Sequence, residues 1–225
     1  MKAEELHKNS EIAREQDRHI DALKLIEEAL VKYQKEKNYE GFAKALQSRV
    51  LIYKHLFLLS ADEVFAILAQ KDAEASLEVT QEHNLTNILC SCYFRIGEIA
   101  SILDDYPKAI DSYQKSLDLY EGTKAEEGDY RYHLGTVLYM GGEKEKGKKT
   151  MLQGLKEIQN NRNQVDSFVA NVWESGCYMR LAEVLWKDEP GEAKRYLKLA
   201  EKIIKSDKRL IIRKRQWQKL ASSFK

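Results

Sequence analysis

Apolar residues recur at spacings of three and four along nearly the whole chain. The clearest stretch runs from Tyr93 to Gly122. There Tyr93, Ile96, Ile99, Ala100 and Leu103 mark one stripe, and Ala109, Tyr113, Ser116, Leu117 and Tyr120 a second. That spacing predicts two amphipathic helices. The turn between them is Asp104-Asp105-Tyr106-Pro107, and Pro107 suits a first helical turn because it has no backbone N–H to lose. The same two-stripe pattern returns, weaker, at Tyr132–Gly142 with Gly147 and Met151, and at Glu4–Gln16 with Ile20–Leu30. It returns again at Tyr178–Trp186 with Glu192–Ile204. The region 42–80 is the least regular: its first helix is unusually apolar, and its loop reads about three residues longer.

The expected fold is therefore all-α, an α-α superhelix of about five helical hairpins in one continuous domain. The hairpins are placed at 3–37, 39–82, 84–122, 126–160 and 164–204. A terminal capping helix covers 206–225, with Ser206 as its N-cap and Asp207 in its first turn. Along it Leu210, Ile211, Lys214, Trp217, Leu220, Ala221 and Phe224 form one face.

Composition narrows the picture. Eleven glycines and two prolines in 225 residues are too few turn formers for a sandwich, barrel or doubly wound sheet. No stretch approaches the roughly 18 unbroken apolar residues of a membrane span. The polar start, MKAEELHKNSEIAREQDRH, does not read as a signal or transit peptide. Three cysteines read as reduced thiols, so the expected location is cytoplasmic. The net charge is only +1, which argues against an electrostatic nucleic-acid binder overall. The charge is uneven, however. The last segment holds Lys208, Arg209, Arg213, Lys214, Arg215, Lys219 and Lys225 against Asp207 alone, leaving the remainder net acidic.

The segment Tyr93–Gly122 resembles the tetratricopeptide repeat (TPR) family. Tyr93, Ile96-Gly97, Ala100, Ala109, Tyr113 and Ser116 fall at that family's intervals, with twelve residues from Gly97 to Ala109. Leu134-Gly135 and Gly147 repeat the interval, with Met151 in the aromatic slot. The resemblance implies a wall formed by the first helix of each repeat. Carrying the family's offsets over places His7, Lys8, Glu11 and Arg14 on that wall, then Leu51, Ile52, His55 and Leu58. The third repeat supplies Phe94, Arg95, Glu98 and Ile102, the fourth Tyr132, His133, Thr136 and Tyr139, and the fifth Met179, Arg180, Glu183 and Trp186. The peptide-binding residues it implies are Phe94, Arg95, Glu98, Tyr132, His133, Tyr139, Met179, Arg180 and Trp186. Rings there would supply buried area, and arginines would take carboxylates or carbonyls. The family's clamp for acidic chaperone tails is not matched. At its places stand His7, Glu11 and Ile52, and only Arg95 agrees.

Chemistry is mostly absent from the pattern. Gly142–Thr150 nearly spells a phosphate-binding loop, but its hydroxyl is one residue late and a helix precedes it where a strand is required. Cys90 and Cys92 have the wrong spacing for zinc, and no two histidines share a helix turn. No cofactor, no metal and no catalysis are expected. The expectation is a cytoplasmic scaffold that binds a peptide or helix of another protein. The alternatives are a homodimer through Trp217 and Phe224, or nucleic-acid or acidic-surface binding by the basic C-terminal helix.

Overall fold

The computed structural model describes residues 1–224; Lys225, the last residue of the expected terminal helix, lies outside them. The described residues form eleven α-helices and one short 3-10 turn, with no strand. They pack as two compact units, Met1–Leu119 and Tyr120 onward.

The first unit holds three antiparallel hairpins: α1 (Ala3–Glu15) with α2 (His19–Lys35), α3 (Tyr39–Ser60) with α4 (Glu63–Glu82), and α5 (Thr86–Ile102) with α6 (Tyr106–Asp118). The second holds α7 (Lys124–Met140) with α8 (Lys144–Asn160), α9 (Ser167–Leu185) with α10 (Pro190–Ser206), and a single α11 (Ile211–Ser223).

The turns explain why so little glycine suffices. Five helices end in one recurring arrangement, in which a left-handed residue lets the next N–H reach back to a carbonyl five residues earlier. Arg18 donates to Ala13, Asn38 to Tyr33, Leu85 to Thr80, Asp105 to Ala100 and Glu143 to Leu138, each at 2.9 Å. The left-handed residues are Asp17, Lys37, Asn84, Asp104 and Gly142, so only one of the five is glycine. The α3–α4 turn uses Ala61, also left-handed. Five helices, α3, α4, α6, α7 and α9, start on side-chain caps. Asn38 accepts from the Gly41 N–H, Asp62 from Val64, Asp105 from Lys108, Thr123 from Glu126 and Asp166 from Phe168.

Small residues set how closely helices approach. In the third hairpin the Tyr113 ring lies on Gly97, where a Cβ would sit 2.9 Å from it. In the fourth, a Cβ on Gly147 would meet the Tyr139 backbone nitrogen at 2.4 Å, and one on Gly128 the Gly154 carbonyl at 2.6 Å. Gly135 and Gly147 face each other, so α7 and α8 touch backbone to backbone. The segment 142–150 is a helical turn followed by α8, and Thr150 donates to the Lys146 carbonyl within that helix. The strand that a phosphate-binding loop requires is absent there.

Two local expectations need correction. The second hairpin has no lengthened loop: Ala61 and Asp62 make the whole turn, and the extra residues extend the helices. A hydroxyl bond measures this. Ser76 Oγ donates to the Ala43 carbonyl across 33 residues, while the matching Ser116 Oγ to Cys90 carbonyl bond spans 26. The terminal helix starts at Ile211, and Ser206 closes α10 rather than capping α11. Asp207 is held in the connection by Arg209 and Asn171, with Arg209 pulling its carboxyl well below the usual carboxylate range. Leu210 and Ile212, not Ile211, are the buried residues at its start.

Candidate protein-binding surface

Within the first unit, α3 packs against both α1 and α5. A polar ladder crosses this layer of first helices. His7 Nε2 lies 2.8 Å from Ser48 Oγ, which donates to Glu11 Oε1 at 3.2 Å. Burial pulls the His7 imidazole below its ordinary value, and Glu11 partly opposes the shift. Further along, Glu98 is 5% exposed and accepts from both Lys54 of α3 and Arg95 of α5. Beneath the ladder Gln47, Ser76 and Thr80 gather around the buried Cys92 thiol and tie α3, α4 and α5 together.

One register position repeats on three successive first helices. Each carries an apolar residue followed by a basic or imidazole one: Phe94-Arg95 on α5, Tyr132-His133 on α7 and Met179-Arg180 on α9. In every pair the first member is buried and the second is partly exposed. Phe94 turns to Tyr113, ring centroids 5.3 Å apart, and the Arg95 guanidinium rests 5.4 Å above it. Tyr132 is 1% exposed, with burial holding its phenol well above the ordinary range. His133 stacks on that ring at 4.3 Å and lies 4.0 Å from Asp129. Met179 sits in the core of the second unit. The Arg180 side chain is 41% exposed and pairs with Glu183 one turn on.

The rings that sequence places on a binding wall are therefore largely packing residues. Tyr139 is buried and donates its hydroxyl to Asp188 at 2.7 Å, and burial together with that carboxylate pushes it up to about 12. Trp186 is half-buried under Phe224, their rings parallel at 4.0 Å. Trp217 donates Nε1–H to the Leu197 carbonyl. Both aromatic residues of the terminal helix expected to meet a second copy are thus engaged within the chain. Gly176 makes room for α11: a Cβ there would lie 2.9 Å from the Arg213 guanidinium and 3.0 Å from the Tyr132 hydroxyl.

Sequence reasoning did not find one cluster. His19 lies 2.7 Å from Asp17 and 5.2 Å, ring to ring, from His55 on α3. His19 and His55 are far apart in the chain, so no spacing announces their contact. Among the described residues no group of three histidine, cysteine or carboxylate side chains is placed to hold a metal ion. The three cysteines are free thiols, and burial holds Cys177 well above its usual range, which makes it a poor nucleophile. No helix of the described residues is long and apolar enough to cross a membrane.

Paired antiparallel helices joined by tight turns define an all-α helical-repeat protein. No family model matches the chain, and no curated protein sequence matches it. Among solved structures, the chain is similar to the crystal structure of BtubC (BKLC) from P. vanneervenii. The TM-score is 0.65 and the identity 16%, covering 90% of this chain and 80% of that one. The likeness is one of fold.

Proposed function

We propose that the chain is a TPR-like scaffold of the cytoplasm that works by binding a peptide or helix of another protein and not by catalysis. The observation that carries this reading is a register found within each unit: Arg95 partly exposed over buried Phe94 on α5 of the first, and His133 and Arg180 partly exposed over buried Tyr132 and Met179 on α7 and α9 of the second. Each of the three is paired in its own helix with an acidic residue one turn away: Glu98, Asp129 or Glu183. A partner's carboxylates and backbone carbonyls would compete for the Arg95 and Arg180 guanidiniums, while the buried side chains beneath hold each helix rigid.

The non-catalytic part takes support from two side chains: burial leaves the Cys177 thiol a poor nucleophile, and the Ser48 hydroxyl beside His7 Nε2 is shared with the Glu11 carboxylate.

The test is affinity capture from the native host with wild type and an Arg95→Ala/Arg180→Ala double variant. Both side chains are partly exposed, so the variant is expected to keep its helical signal and to lose its bound proteins. Capture of an unchanged set of proteins by a folded double variant rejects the reading.

A further inference from the structure

The tip of the second hairpin projects, and it is apolar. The two hydroxyl bonds that close the second and third hairpins span 33 and 26 residues, so about one added turn on each helix extends α3 and α4 at the Ala61 end. The extension carries Leu59 and Val64, and Ile67 and Leu68 follow on α4. All four are between 38% and 55% exposed. Val64, Ile67 and Leu68 stand at i, i+3 and i+4, so they share one face. The same side of α4 continues through Gln70 and Glu74 into a cleft of ≈ 270 Å³ floored by Ile96, Ile99 and Leu103. Acidic residues flank it at both neighbouring turns: Asp62 and Glu63 on one, Asp104 and Asp105 on the other. Lys71, one turn beyond Ile67, and Lys108 at the cleft both pair with Glu74, so the surroundings stay net acidic, and an apolar patch with a polar rim is the mark of a docking surface.

The chain itself carries the complementary face. The inner side of α11 is spent on its own unit, through Ile212, Trp217 and Phe224. Its outer side presents Ile211, 44% exposed, beside the exposed Lys214, and the exposed Lys208 stands in the connection just before it. One exposed isoleucine in a basic field thus matches an apolar patch in an acidic one. The sequence segregates charge the same way, since the terminal segment is strongly basic and the remainder net acidic.

We propose that the outer face of α11 of one copy docks on the α3–α4 tip of a second copy. The contact is head-to-tail: each copy offers one basic helix and one acidic tip, so assembly continues until a ring closes or a chain grows. It uses neither the ladder nor the Arg95–His133–Arg180 register, and it stands whether or not those bind a partner.

Sedimentation velocity of the full chain, over a concentration series at about 0.02 M and about 0.5 M salt, tests it. Expected are assemblies that grow with concentration at low salt and shrink at high salt. Ile67→Ser/Leu68→Ser removes the apolar tip without adding charge, and Lys208→Glu/Lys214→Glu reverses the charge around Ile211. All four side chains are exposed, so both variants are expected to fold, and each to lose at least about tenfold in self-affinity. A mixture of the two has one intact tip and one intact helix, and is expected to stop at dimers. A monomeric wild type at low salt overturns the proposal. So does assembly that survives the helix reversal, or a mixture that stays monomeric while wild type assembles.

Discussion

The second and fourth hairpins have the same topology and are built by opposite means. Between α7 and α8, Gly128, Gly135, Gly147 and Gly154 bring backbone against backbone. Between α3 and α4, alanines do the spacing: Ala43, Ala66, Ala69 and Ala73 are all buried. The turn of the fourth hairpin is Gly142, at φ 102°; that of the second is Ala61, at φ 58°. Both hairpins are cross-braced by an arginine, Arg131 to Glu157 at 2.7 Å and Arg49 to Asp72 at 2.7 and 2.8 Å. The glycine pair trades helix propensity for contact, since each glycine costs about 1 kcal/mol in a helix against alanine. The alanine pair keeps its propensity, grows longer and leaves apolar side chains at its tip. Close approach and surplus surface are thus alternative uses of the same hairpin.

The largest expected effect breaks the close pair. Gly147→Ala places a Cβ 2.4 Å from a backbone nitrogen, which no side-chain movement relieves. It is expected to lower stability by about 1–3 kcal/mol in urea denaturation, despite alanine's better propensity. A stabilised variant would show that propensity, and not approach, governs α7–α8.

The turns give a smaller, two-signed test. Ala61 carries a Cβ in the left-handed region, and Gly142 a glycine at a φ that L side chains rarely adopt. Ala61→Gly is expected to raise stability, and Gly142→Ala to lower it, each by about 0.5–1 kcal/mol. Equal signs in paired thermal melts would mean that the turns do not limit either hairpin.

The smallest effect separates the two units by pH. Burial lowers the His7 value in the first unit. The unfolded imidazole takes its proton near pH 6.5, while the folded one resists until lower pH. The stability of the first unit is therefore full above that value and falls as pH drops below it. All three tryptophans lie in the second unit, so fluorescence follows that unit alone while circular dichroism follows both. Between about pH 7.5 and about pH 5.5, the urea midpoint by dichroism is expected to fall more than that by fluorescence. His7→Gln should narrow the gap, and an unchanged gap would assign it to other groups.

The hairpins were legible because helical periodicity survives where family resemblance fades. Within the hairpins the helix ends lie within about four residues of those expected, whereas the terminal helix starts at Ile211 and not at 206. The facing glycines, Gly135 with Gly147, were legible for the same reason. What the sequence hid was which of two neighbours faces outward. Phe94 and Arg95, or Tyr132 and His133, differ by about 100° on a helix. An offset carried over from a pattern does not decide between core and surface when first helices have packed neighbours on several sides. The His19–His55 pair and the Glu98–Lys54 bond were hidden for a different reason. They join residues that only the packing of separate helices brings together.

The seven-residue difference between the hydroxyl bonds of the second and third hairpins has an evolutionary reading. Seven residues are two helical turns, one for each limb. An insertion or deletion of that size changes the height of a hairpin without rotating either limb, so every inward side chain keeps its neighbour. A lineage can raise or trim such a projection in single steps, and so acquire or discard a contact point while the interior stays as it was.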